Sequence, residues 1–295
     1  MTPSTMRPRS RKTIMYDQLQ SWRQDNPHIR TGYRQNLPRM TACIKSVFSY
    51  FHNETVNIHT HLWGAITFIF LILTLQNPSR FVPLGYSIFT RGSGRPDSVT
   101  WYDTFVFGCF FLSGAACLGF SAMFHTFMCH SQKVCATFGR LDYIGIVWLI
   151  VGSFYPSIYY GFYCHTKTII TYLTLITVLG GMATYTVISP TYKSKDARRK
   201  RTLIFIALGL SAILPVGHGL YRFGLVQFTD RIGLRWLVSS GALYIAGALF
   251  YSERFPERFN PGRFDLIGSS HQIFHVLILV AASFHYISVS RAFNM

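Results

Sequence analysis

Residues 266–290, LIGSSHQIFHVLILVAASFHYISVS, run from Asp265 to Arg291 without one Asp, Glu, Lys or Arg. A helix rises about 1.5 Å per residue and needs roughly 20 mainly apolar residues to cross a hydrocarbon core, so this stretch is long enough for one transmembrane helix. It nevertheless carries His271 and His275, four residues apart and therefore on one helix face. Imidazoles in an apolar span are costly unless they bind something.

The same scan finds six further charge-free intervals, at 55–79, 104–132, 143–166, 168–192, 202–221 and 236–252. With 49% hydrophobic and only 13% charged residues, the chain is too apolar for an ordinary soluble domain of its length. The expected fold is all-α: an integral, multi-pass bundle of seven transmembrane helices in a plasma membrane or endomembrane. The predicted spans are about 58–77, 102–125, 142–163, 168–189, 202–221, 235–252 and 268–290, forming a domain over 58–295 behind a basic tail over 1–57. The first apolar run starts only after that tail, so insertion is expected through the first helix, without a cleavable leader.

Lys and Arg in connecting segments are retained on the cytoplasmic side during insertion. Of the 28 such residues, 20 fall in the N-terminal tail and the 2–3, 4–5 and 6–7 connections, and eight fall on the other side. The N-terminus is therefore predicted to be cytoplasmic and the C-terminus extracellular or lumenal. The net charge of +17 follows mainly from this asymmetry. It points to anionic lipid at the cytoplasmic face and not to nucleic acid. Within the tail, Ile14, Met15, Leu19 and Trp22 fall at helical spacing and suit either a short surface helix or a solvated segment. The six cysteines divide between the predicted cytoplasmic side (Cys43, Cys129, Cys135), the second span (Cys109, Cys117) and the outer side (Cys164), which is no disulfide framework.

Direction of travel sets depth. The second span runs inward, so Ser121 and His125 lie near its cytoplasmic end; Asp142 is expected in the first turn of the third, and His271 and His275 in the first two turns of the seventh. Three neutral imidazoles plus a water make a tetrahedral zinc site with an open position, the arrangement used for hydrolysis. Zinc lowers the pKa of such a water and polarises a carbonyl, so an amide or ester becomes the natural target. Asp142 is then a candidate general base or an orienting partner, and Ser121 a hydrogen-bond partner for the water. Taken singly, each histidine reads as an interfacial group and Asp142 as a helix-end charge; their agreement in depth and spacing favours the metal.

A rival set, His125, Cys129, His130 and Cys135, has structural-zinc spacing but leaves His271 and His275 unexplained. His165, His218 and His285 are expected too far from the cytoplasmic end to reach the site. The segment before the first span also holds Glu54, Asn57 and His61, which read either as groups closing the site from below or as ordinary helix-start residues.

Together, His52-Asn53-Glu54-Thr55-Val56-Asn57 through His61, Ser121-x-x-x-His125 with Leu141-Asp142-Tyr143, and His271-x-x-x-His275 resemble the three signature motifs of the progestin and adipoQ receptor family, which is related to haemolysin III. Thr31-Gly32-Tyr33-Arg34 resembles it as well. The resemblance spans roughly 28–290 and implies a seven-helix bundle with Zn2+ held by His125, His271 and His275 near the cytoplasmic face. It also implies membrane lipid (a ceramide, sphingolipid or fatty acid) as substrate or ligand, and an extracellular protein or steroid as a further partner. Two functions follow as expectations. One is zinc-dependent hydrolysis of a ceramide-like lipid amide coupled to signalling or to lipid and metal homeostasis; the other is a receptor or sensor whose zinc is purely structural.

Overall fold

Thr100 caps the helix around which the rest of the molecule packs. Its hydroxyl accepts a hydrogen bond from the Asp103 N–H, and the Asp103 carboxylate accepts from both the Thr100 N–H (2.9 Å) and its hydroxyl (2.6 Å). This reciprocal arrangement satisfies amide donors that a helix start would leave orphaned. In the computed structural model, which describes residues 12–75, 100–189, 191 and 197–293, that helix is α3 (Trp101–Phe127). Before it come a two-residue antiparallel pairing of β1 (Thr13–Ile14) with β2 (Tyr33–Arg34), helix α1 (Met40–Ser49) and helix α2 (Thr55–Leu75). After it come α4 (Gln132–Gly161), α5 (Thr166–Ile188), α6 (Arg198–Leu210), α7 (Ile213–Phe223), α8 (Leu225–Ile232), α9 (Leu234–Glu253) and α10 (Ser270–Phe293).

Seven of these segments are long and apolar enough to cross a membrane: α2, α3, α4, α5, the pair α6–α7, α9 and α10. The seven-helix expectation holds. The axis is α3, 56% buried along its most apolar window against 11–39% for the others. Its Phe107, Phe110, Phe111 and Leu118 pack with Phe68 of α2 and Ile278 and Ala282 of α10. The outer faces of the other helices keep large apolar side chains exposed, as a hydrocarbon solvent requires.

Three departures from the predicted boundaries have physical causes. Helix α4 starts at Gln132, where Ser131 caps it, ten residues before the predicted start. Lys133, Arg140 and Asp142 therefore sit inside the helix, and Asp142 lies almost three turns in, not in the first turn. The fifth span, predicted as one helix over 202–221, is broken at Ser211-Ala212. Pro215 has no N–H to give the Ser211 carbonyl, which instead accepts from Leu214 at 3.1 Å in a tighter turn. In the tail, Ile14 to Trp22 form a strand and two single 3-10 turns, not a surface helix; the tail's α-helix is α1, further on. Arg7, Arg9, Arg11, the predicted end of the first span at 76–77 and residues 193–196 of the basic run lie outside the described residues.

Helices α3 and α4 meet closely because a glycine lets them. A Cβ on Gly145 would stand 2.8 Å from the Cys117 Cα, a backbone atom that cannot rotate away. Gly145→Leu is therefore expected to force the two helices apart and to cost about 3 kcal/mol or more through overpacking. Thermal unfolding of the detergent-solubilised variant checks this; an unchanged midpoint would contradict the packing.

Candidate metal centre

His125 projects from the last turn of α3, and His271 and His275 from the first two turns of α10. Their ring centroids form a nearly equilateral triangle: His125 to His271 4.8 Å, His125 to His275 4.9 Å, and His271 to His275 4.8 Å. One ring nitrogen from each can be chosen so that all lie within 4.8 Å of one another, and among the described residues this is the one group of three or more metal-ligating side chains so placed. His125 and His275 are buried and His271 is half-buried.

The neighbouring groups decide which nitrogen faces inward. The Nδ1 of His125 lies 2.7 Å from a Glu54 carboxylate oxygen, and the Nδ1 of His275 lies 3.1 Å from the Asn57 carbonyl. With Nδ1–H donating in both, each Nε2 presents a lone pair to the centre. The His125 Nε2 is buried and has no partner in the protein. An unpartnered buried imidazole nitrogen is costly, and a metal ion fits that orphan. Burial alone would raise the Glu54 carboxyl pKa, but the hydrogen bonds from His125 and Asn57 more than offset it and hold the group below the usual carboxylate range.

Glu54 and Asn57, ambiguous in sequence, therefore brace the histidines from the entrance of α2. His61 stacks flat on His275, centroids 3.5 Å apart, with neither ring nitrogen hydrogen-bonded. Ser121 and Asp142 lie together beside His125. The rival set does not assemble: the Cys129 sulfur faces Cys43 at 3.8 Å, and His130 bonds Ser131. His218 is held by the Tyr172 hydroxyl and His285 by the Ser153 carbonyl.

Because Glu54 orients His125, Glu54→Gln should leave the fold intact but loosen the metal roughly 10- to 100-fold, the usual cost of losing a carboxylate behind a histidine ligand. Competition with a chelator of known affinity measures this; wild-type affinity in the variant would remove Glu54 from the centre.

The triangle opens onto a cavity of about 530 Å³ bounded by α4, α6, α7, α9 and α10. Its near end is lined by His61, Ser121, Asp142, Tyr251, His271 and His275, and its walls are almost wholly apolar. Its far end is lined by Phe228 and Ile232 of α8 and by His285, ten residues or about 15 Å along α10 from His275.

Three contacts that position the site have no periodic signature in the sequence, although Arg34 belongs to the resembling stretch Thr31–Arg34. Arg34, 1% exposed, donates to the Ser46 hydroxyl and to the carbonyls of Thr126 and His125, tying the tail to the turn that carries a histidine. Asp265 accepts from the N–H groups of Arg30 and Thr31 and from the Thr31 hydroxyl. Glu257, 0% exposed, accepts from Asn26 and from the N–H and hydroxyl of Ser270. Each partner is remote in the chain or lies in a loop, so no periodicity marks it.

Seven membrane-spanning helices, with three histidines converging from α3 and α10 at the mouth of a cavity inside the bundle, define a heptahelical membrane protein with a histidine triad that could hold a metal ion. Residues 49–286 match the haemolysin-III related family, and the chain belongs to it. It is 41% identical over 281 residues to an adiponectin receptor protein of Drosophila melanogaster, covering 95% of this chain and 59% of the relative. It is 38% identical to progestin and adipoQ receptor-like protein 1 of Caenorhabditis elegans, covering 95% of this chain and 61% of the relative. It is also 34% identical to the ADIPOR-like receptor IZH2 of Saccharomyces cerevisiae, covering 97% and 85%. The chain thus spans about three-fifths of the length of the two animal relatives.

Proposed function

We propose that the chain binds zinc at His125, His271 and His275 and hydrolyses the amide bond of a ceramide-like lipid lying in the cavity, as part of signalling or of lipid and metal homeostasis. The observation that carries this reading is the junction of a three-nitrogen centre with a long apolar cavity. A purely structural zinc takes four protein ligands, whereas a hydrolytic one keeps a position open. Zinc bound there would supply Lewis acidity and an activated water.

The protein's own contribution is orientation and proton handling. Glu54 and the Asn57 carbonyl fix the two imidazole tautomers. Asp142, on the cavity wall beside Ser121, is the group placed to hold a proton and return it to a departing amine, with Ser121 orienting its carboxyl. The apolar walls accept acyl chain and exclude bulk water. In this reading the basic N-terminal side faces the cytoplasm, against anionic lipid.

Asp142→Asn should keep its metal and lower fatty-acid release about 100- to 10,000-fold, the usual range for a lost general base. Mass spectrometry of purified protein incubated with ceramide reads this. The relatives' names, which call them receptors, favour a second reading in which the metal only ties α3 to α10 and an extracellular protein or steroid shifts their packing. Absence of fatty-acid release from metal-loaded wild type would select that second reading.

A further inference from the structure

Among the described residues, a pair of cysteines lies apart from the histidine triad. Cys43 of α1 and Cys129, two residues beyond α3, place their sulfurs 3.8 Å apart with both residues fully buried. Backbone bonds hold the pair in register: Leu37 N–H donates to the Cys129 carbonyl at 2.9 Å, while the Cys43 thiol points to the Leu37 carbonyl and the Cys129 thiol to that of Thr126. Two buried guanidiniums stand beside it. Arg34 bonds the Thr126 carbonyl and Ser46, and Arg23 bonds the Arg34 carbonyl and Asn36. The contact with the Cys43 sulfur, together with these cations and against the effect of burial, pushes the Cys129 thiol pKa down. Thiolate character next to a second thiol is the chemistry of an oxidisable pair.

We propose that Cys43 and Cys129 form a reversible disulfide when the protein meets a hydroperoxide, clamping α1 to the end of α3 one turn beyond His125. The Cys129 thiolate attacks a peroxide oxygen, the O–O bond breaks, and a sulfenic acid and hydroxide result. The Cys43 sulfur then displaces hydroxide from that sulfenic acid as the S–S bond forms, and its proton leaves in water. Two thiols are oxidised and one peroxide is reduced to two waters. The sulfurs must close from contact to a bond of about 2.05 Å, a local movement of α1. The outward face of α1, with Ile44 and Phe48 exposed, is the side from which the helix can lift to admit a small oxidant. Oxidation is accordingly slower here than at the exposed Cys164. A dithiothreitol-class reductant reverses it by thiol–disulfide exchange.

Full-length wild type in detergent, treated with hydrogen peroxide, denatured, blocked with iodoacetamide and cut with trypsin and chymotrypsin, tests the pair without any variant. The expected product joins Met40–Lys45 to Met128–Lys133 in most chains, appears after Cys164 has reacted, and vanishes on reduction. The fragments separate Cys129 from Cys135, so the partner is unambiguous. Recovery of Cys43 and Cys129 as alkylated thiols after peroxide exposure many times longer than that which fully oxidises Cys164 overturns the proposal, as does a Cys129–Cys135 bond in place of the expected one. Cys135→Ser should leave the cross-link at wild-type yield; its loss there would count equally against the pair.

Discussion

His275→Ala is expected to lower bound metal from about one ion per chain to less than a tenth of that, because removing one of three ligands leaves too few to hold a divalent ion against water. Hydrolysis should fall by about 1,000-fold or more, since the Lewis-acid contribution of several kcal/mol goes with the metal. The same substitution unstacks His61 and leaves the Asn57 carbonyl without its donor. Elemental analysis of purified protein, paired with fatty-acid release, reads both effects. His125→Ala should behave alike, whereas Asp142→Asn should retain its metal. If His275→Ala kept full metal occupancy, the triangle would not be the binding site; if it lost metal but the wild type had no hydrolytic activity, the centre would be structural.

The histidine triad was legible because two kinds of pattern agree on it. The four-residue step between His271 and His275 puts both on one face of α10, and counting basic residues puts His125 at the same depth from another helix. Such patterns depend only on helix period and chain direction, which the bilayer enforces. Span boundaries were less legible where the charge-free rule meets an interface. The rule stopped at Asp142, yet Lys133 and Arg140 lie in the first turns of α4, a helix of 30 residues and so longer than a hydrocarbon core requires. The break in the fifth span carries no change in hydropathy, and Pro215 alone does not mark it, since Pro156 lies inside the unbroken α4. Asp265 and Glu257 were illegible for a different reason, and Arg34 stood out only within the resembling stretch Thr31–Arg34 without its role: each works through partners in loops or remote in sequence, and a single polar residue in a loop has no periodic neighbour to announce it.

Glu257→Ala should show what such a contact contributes. The Glu257 carboxyl group sits at the start of α10, where it accepts the N–H of Ser270 at 2.7 Å, the Ser270 hydroxyl, and the Asn26 amide at 3.0 Å from the tail. An acceptor there is favoured by the helix dipole and satisfies an orphan donor. Alanine would leave these donors buried without partners, at a cost of about 3 kcal/mol. For a chain of this size that corresponds to a midpoint about 5 °C lower. The loosened turn is the one carrying His271, so metal affinity should fall as well, although no ligand has been touched. Glu257→Gln, which can keep the acceptor for the Ser270 N–H but sets an amide NH2 against the Ser270 hydroxyl and the Asn26 amide, should fall between alanine and wild type in both measurements. Thermal unfolding and chelator competition on the three proteins then separate two possibilities. A drop in stability with unchanged metal affinity would mean that the loop merely anchors α10, whereas parallel drops would mean that the tail, the loop and the centre act as one unit. Equal midpoints for alanine and wild type would rule out both.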